Sequence, residues 1–260
     1  MSNAPIIERI ELTAFEIELQ DIVTDRAGFG LSYQPGTRGT HTRFGVRIIS
    51  DTDVVGEYIP PRGRTNVIMT ASEALSYSLI GKPALQREKH YRTMRKLTKH
   101  IGEVGIGAID IALWDLAGKH QGVSVSEMLG GYRERLPAYA STIGGDRLKG
   151  GLSSPEAYAD FSEQCLELGY KGFKMHGWHE GNVAEECAMI KAVCERIGDK
   201  MIIMYDAACH PDTLADAIQI GQVCDEYGLY WLEDPYGDGG VSIHGHQMLK
   251  KSVITPILVS

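Results

Sequence analysis

Apolar and polar residues alternate over the first sixty positions, and the period changes twice further along. ERIELTAFEIEL (8–19) alternates with period two, and TRFGVRIISDTDVVGEYI (42–59) holds two β-branched runs around Asp51–Asp53. Both stretches predict strands, the second pair joined by a turn. Between them DIVTDRAGFGLSYQPGTRGTH (21–41) is rich in Gly, Thr and Arg and poor in periodic apolar positions, so it is expected to be a long loop: a lid, a binding loop or a disordered segment. From 70 to 119 the spacing becomes three and four, with Ile106, Ile109, Leu113 and Leu116 on one helical face. Strands followed by helices make an α+β module of about 120 residues.

After Leu136 the chain alternates strand and helix. LPAYAS, GFKMH, MIIMYD, LYWLED and PILVS read as strands. Ser154-Pro155, Asn182 with Glu185, and Thr213 open the intervening helices, and Gly169, Gly198 and Gly228 close them. A short helix near His244–Lys251 precedes the last strand, and GHQMLKK within it is only a helix face. Single helices between strands imply right-handed crossovers and a parallel sheet. Equivalent strand ends recur at intervals of 32 residues (Lys174 to Asp206) and 27 residues (Asp206 to Glu233). Such a repeat fits an open doubly wound sheet or part of a (β/α)₈ barrel. No GxGxxG or GxxxxGK[ST] follows any strand, which favours the barrel.

Composition narrows the classes further. Lys and Arg total 26 against 34 Asp and Glu, a net charge of −8 that suits neither nucleic acid nor an anionic membrane. An apolar fraction of 43 % and a charged fraction of 23 % are ordinary for a folded globule. The richest apolar run, IGAIDIALWDLAG, is broken by Asp110 and Asp115, and MSNAPIIERIEL lacks a signal-peptide core, so cytoplasm is the expected location. The 5 cysteines form no CxxC pair and are expected to be reduced and mostly buried.

Chemistry gathers where successive strands end. Lys174 and His176 share one face of their strand, and Phe173 and Met175 share the other. The apolar pair suits packing against helices, which turns Lys174 and His176 inward. Asp206 and Glu233 end the next two strands, Glu233 on the same face as Trp231. Two inward carboxylates need a cation between them, and two readings stand: a Mg²⁺ site, or a salt-bridge ring closed by Lys174. His210, four residues past Asp206, is expected either to reach substrate or to be a surface-loop histidine; His179 is expected in solvent. Tyr33, Arg38 and His41 lie in the expected lid, where Arg38 can clamp a distal carboxylate. Asp110 and Asp115 are expected to serve structure.

AIDIALWDLAGK (108–119), SEMLGG (126–131) and RERLPAYAS (133–141) closely resemble the hinge between capping domain and barrel in the enolase superfamily. KMH (174–176), YDA (205–207) and WLEDP (231–235) fall where its mandelate racemase-like subgroup carries Lys-x-Lys and the first two metal-binding acids. The resemblance implies an α+β capping domain (1–125, with lid loop 21–41) followed by a (β/α) barrel (TIM-like; 126–260), incomplete in these 260 residues. It implies Mg²⁺ held by Asp206 and Glu233, with Lys174 and His176 as catalytic groups; Tyr33 and Arg38, from their place in the expected lid, and His210, from the loop after Asp206, are the expected contacts to substrate. The expected reaction is removal of the proton α to a carboxylate, with dehydration of a sugar acid (aldonate or aldarate) ahead of racemisation or cycloisomerisation. A homo-oligomer is also expected. Three departures stand out: His176 replaces the second Lys, Ala208 stands where Asn is common, and the third metal carboxylate and the opposite-face dyad lie beyond Ser260. The 260 residues are therefore expected to be part of a longer chain, and the rival reading is a non-catalytic fragment or degenerate homologue.

Overall fold

The computed structural model describes residues 4–24, 31–61, 64–237 and 242–259. Compactness divides the chain into two units, one of residues 1–18 and 40–135, the other of 19–39 and 136–260. The division thus falls at Arg135–Leu136 instead of 125–126, and the stretch expected to be a lid on the first domain groups with the second.

In the first unit, strands β1 (Ile7–Thr24), β2 (Leu31–Ser50) and β3 (Val55–Tyr58) form one sheet in that order, and the last residues of β1 and the first of β2 run into the second unit. β2 and β3 are antiparallel about the expected Asp51–Asp53 turn. Helices α1 (Thr65–Ser76), α2 (Arg87–Leu97), α3 (Ile106–Gln121) and the single turn α4 (Val125–Met128) follow. The face predicted from spacing is the one buried: Ile106, Ile109, Leu113 and Leu116 pack with Ile7, Val46, Ile48, Leu75 and Met94. α3 lies so close to β3 that a Cβ on Gly56 would sit 2.1 Å from the Ala112 carbonyl oxygen. Asp115 is structural as expected: its Oδ2 accepts the Glu57 N–H at 2.7 Å and pairs with Lys119 at 2.7 Å.

The second unit alternates β4 (Ala140–Ser141), α5 (Pro155–Glu167), β5 (Gly172–His176), α6 (Val183–Ile197), β6 (Ile202–Asp206), α7 (Leu214–Tyr227), β7 (Leu232–Glu233), α8 (Ile243–Ser252) and β8 (Ile257–Leu258). The five strands are parallel and lie in chain order, the arrangement of successive units of a (β/α) barrel. Cap chemistry sets the helix starts. Ser154 Oγ accepts from Ala157 N–H, Asn182 Oδ1 accepts from Ala184 and Glu185, and Thr213 with Asp216 forms a reciprocal capping box. Phe173 and Met175 are fully buried with Tyr158, Met189, Ile190 and Val193, so the outer face of β5 is the helix-facing one. The cysteines are free thiols, and burial pushes Cys194 up to about 12.

Residues 21–24 and 31–41 are not the irregular loop that their composition suggests. Residues 21–24 complete β1 and 31–41 belong to β2, while 25–30 lie outside the described residues. Main-chain pairing orders this ribbon without needing an apolar period. Gly144 N–H donates to Leu31 O at 3.2 Å, Tyr33 N–H donates to Gly144 O at 3.3 Å, and Asp21 Oδ1 accepts the Gly36 N–H at 2.6 Å.

Candidate metal and acid-base site

β5, β6 and β7 are in register with His176 opposite Asp206 and Asp206 opposite Glu233, so their last residues form one row. Inward-facing Lys174 stands two residues before the end of β5 and reaches across that row. Its ammonium donates to Asp206 Oδ2 at 2.9 Å and to Glu233 Oε2 at 2.8 Å, with all three residues buried. His176 Nε2 meets the same Asp206 Oδ2 at 2.7 Å, and Trp231 Nε1 donates to Glu233 Oε2 at 3.1 Å. Asp206 Oδ1 accepts the Ala208 N–H at 2.8 Å across a turn in which Ala208 and Cys209 take left-handed backbone (φ 48° and 60°).

The electrostatics follow from burial set against close charge. Burial pulls the Lys174 ammonium toward neutrality, but its bonds to Glu233 and Asp206 hold its pKa above the ordinary lysine value. Burial pushes the Asp206 carboxyl up, yet the His176 and Lys174 contacts hold it well below the usual carboxylate range. The salt-bridge ring read from the sequence is therefore present.

A further carboxylate belongs to the cluster. Asp206, Glu233 and Asp234 each offer an oxygen within 4.8 Å of the others. Strand alternation sends Asp234 to the opposite face, which is why the pattern did not point to it. β7 ends at Glu233, and the left-handed backbone at Asp234 (φ 41°) turns its carboxylate back. Three carboxylates against one ammonium leave two negative charges within the cluster, and its donors are hard oxygens. That set fits a divalent cation such as Mg²⁺.

The remaining expected residues fall elsewhere. His210 pairs with His179, Nε2 to Nδ1 at 3.2 Å with the rings edge-on, and His179 Nε2 bonds Ser32 Oγ. His179 is thus half-buried and doubly partnered, not solvated as expected, because Gly144 leaves its ring room: a Cβ there would come within 2.6 Å. Tyr33 lines a separate cavity of about 640 Å³ with Thr142, Leu152 and Phe161. Arg38 is exposed on β2, and His41 is half-buried there.

Parallel β/α units with acids at successive strand ends define part of a (β/α) barrel, and comparison with known proteins narrows the class. Residues 34–130 match the mandelate racemase / muconate lactonizing enzyme N-terminal domain, and residues 157–260 match the enolase C-terminal domain-like family. The chain belongs to the mandelate racemase-like subgroup of the enolase superfamily, with an α+β capping domain followed by an incomplete (β/α) barrel. It is 34 % identical to D-galactarolactone cycloisomerase of Agrobacterium fabrum over 73 % of this chain and 50 % of that protein. It is 27 % identical to L-talarate/galactarate dehydratase of Salmonella typhimurium over 96 % of this chain and 62 % of that one. The structure of D-glucarate dehydratase from Agrobacterium tumefaciens, complexed with magnesium, superposes with a TM-score of 0.84 at 27 % identity, covering 98 % of this chain and 67 % of that one. The chain thus spans about half to three-fifths of the curated relatives' length. No helix among the described residues is long and apolar enough to cross a membrane.

Proposed function

We propose that the chain belongs to a Mg²⁺-dependent hydro-lyase that removes water across C2–C3 of a sugar acid, an aldonate or aldarate. The observation that carries this reading is the meeting of Lys174 and His176 on one oxygen of Asp206, beside Glu233 and Asp234. Asp206 and Glu233, with Asp234 beside them, would hold Mg²⁺, which when bound supplies positive charge next to the substrate carboxylate.

His176 takes the proton from C2 on Nε2, the ring nitrogen that faces the cluster, with Asp206 Oδ2 given over to the metal that the carboxylates would hold. Imidazole needs little tuning for that task near neutral pH, whereas Lys174 would first have to lose a proton that two carboxylates hold in place. As the C2–H bond breaks, its electron pair moves toward the carboxylate, and the Lys174 ammonium meets the growing charge. That electron pair then forms the C2–C3 double bond as the β-hydroxyl leaves as water, taking up the proton that His176 had accepted, and the resulting enol tautomerises to the 2-keto-3-deoxy acid. Names of relatives support the substrate class: talarate, galactarate and glucarate dehydratases all act on polyhydroxylated acids.

A second reading has its own support, because the relative at 34 % identity is a lactone cycloisomerase. One screen separates the two. The full-length gene product is offered a library of aldonic and aldaric acids and their lactones, with Mg²⁺ and with a chelator. A Mg²⁺-dependent 2-keto-3-deoxy acid formed from a free acid supports dehydration. Turnover of lactones alone favours the cycloisomerase, and no turnover of any member overturns both.

A further inference from the structure

His176 is held mainly from its backbone. Its Nε2 bonds Asp206, while Nδ1 is buried without a hydrogen-bond partner among the described residues. A ring fixed through one nitrogen keeps its aim only if its Cα does not move. Hydrogen bonds from several elements converge on that stretch of chain. His176 N–H donates to Thr142 Oγ1 at 2.8 Å, and the Tyr158 hydroxyl donates to His176 O at 2.5 Å. Gly145 N–H donates to Gly177 O at 2.9 Å, and Trp178 N–H donates to Glu186 Oε1 at 2.8 Å.

Tyr158 on α5 and Glu186 on α6 stand on the helix side of the sheet, exposed by 0 % and 1 %. The Tyr158 ring lies edge-on to Trp178 at 5.2 Å, and the Tyr205 hydroxyl donates to the other Glu186 oxygen at 2.9 Å. Gly177 is required beside them, since a Cβ there would sit 1.7 Å from Glu186 Oε2. Stability alone does not call for a carboxyl in such a place, because burying one against neutral donors costs more than filling the space with an apolar side chain. What the carboxyl and hydroxyl do achieve is to tie both ends of residues 176–178 to two helices.

We propose that Tyr158 and Glu186 are positioning residues for the proposed base, a buried brace that fixes the end of β5 and through it the approach of the His176 imidazole to substrate. This rests on the reading that His176 takes the C2 proton. Neither side chain touches substrate, so their effect belongs in kcat and not in KM.

The cleanest variant is Tyr158→Phe, which removes one oxygen and leaves the packing intact. Two measurements on the full-length protein with Mg²⁺ decide the matter. With a turned-over sugar acid, kcat should fall about tenfold or more while KM stays within about twofold, and the melting temperature should move by no more than about 4 °C. In ¹³C-histidine-labelled protein, the His176 Cε1–H resonance, assigned by its loss in His176→Asn, should broaden or split. Glu186→Leu should have the same two effects. An unchanged His176 resonance overturns the proposal whatever the rate does, and so does an unchanged kcat when the resonance changes. If wild-type protein turns over no sugar acid, the functional reading fails, and the resonance still decides whether the brace orders His176.

Discussion

Glu186 ties stability to pH. Burial pushes its carboxyl up to about 7, although the Trp178 N–H and the Tyr205 hydroxyl favour the charged form. Between the ordinary carboxylate range and about pH 7 the folded state holds a proton that the unfolded state has released. The contribution is therefore complete below about 4.5 and is lost as pH rises through about 7, a fall of roughly 3 kcal/mol by the pKa difference. Urea unfolding of wild type and Glu186→Gln at pH 5 and pH 8 should show that extra loss in wild type alone; parallel behaviour would contradict the assignment. Lys174 makes a second case. Its ammonium is the counter-charge of two buried carboxylates, so Lys174→Met should cost about 3 kcal/mol in a chelator. Saturating Mg²⁺ should restore much of that loss by binding only the folded state. A variant that is destabilised equally with and without Mg²⁺ would show that the carboxylates do not share their charge with a metal.

Helices α5, α6 and α7 and the inner face of β5 were legible in the sequence because their determinants are local. A cap residue and its acceptor lie within three positions, and strand alternation needs only neighbours. The end of β1 and the start of β2 were not legible as strand: their order comes from main-chain pairing and from Gly144, more than a hundred residues away. Asp234 escaped the pattern because a left-handed residue after β7 breaks the alternation that turns Glu233 inward. The partnering of His179 escaped for a related reason, since it depends on Ser32 and His210 meeting from distant segments. Packing of α3 on β3 offers a direct check on the first unit. Gly56→Ala places a Cβ 2.1 Å from the Ala112 carbonyl oxygen and 2.8 Å from Leu116 N, both helix backbone that cannot step aside. Denaturant unfolding should show a loss of more than about 3 kcal/mol, whereas a loss below about 1 kcal/mol would mean that the helix is not seated there.

An α+β module comes first, and β/α units follow that deliver one chemical group per strand end: His176, Asp206, Glu233. Asp206→Asn and Glu233→Gln should each cut Mg²⁺ affinity severely in calorimetry while the chain still folds, because Lys174 keeps the other carboxylate as its buried counter-charge. Binding that is unchanged in both would remove these residues from the metal site. The proton step tests the account most directly. The full-length protein is incubated in D₂O with Mg²⁺ and a sugar acid that it turns over, or the analogue lacking the leaving hydroxyl, and deuterium at C2 is followed by NMR. Wild type should exchange and His176→Asn should not, with ligand affinity kept within about tenfold, or roughly 1.4 kcal/mol. Lys174→Ala should lower both affinity and exchange. Exchange by His176→Asn at the wild-type rate would contradict the assignment of His176 as the base and the reading of this site built on it.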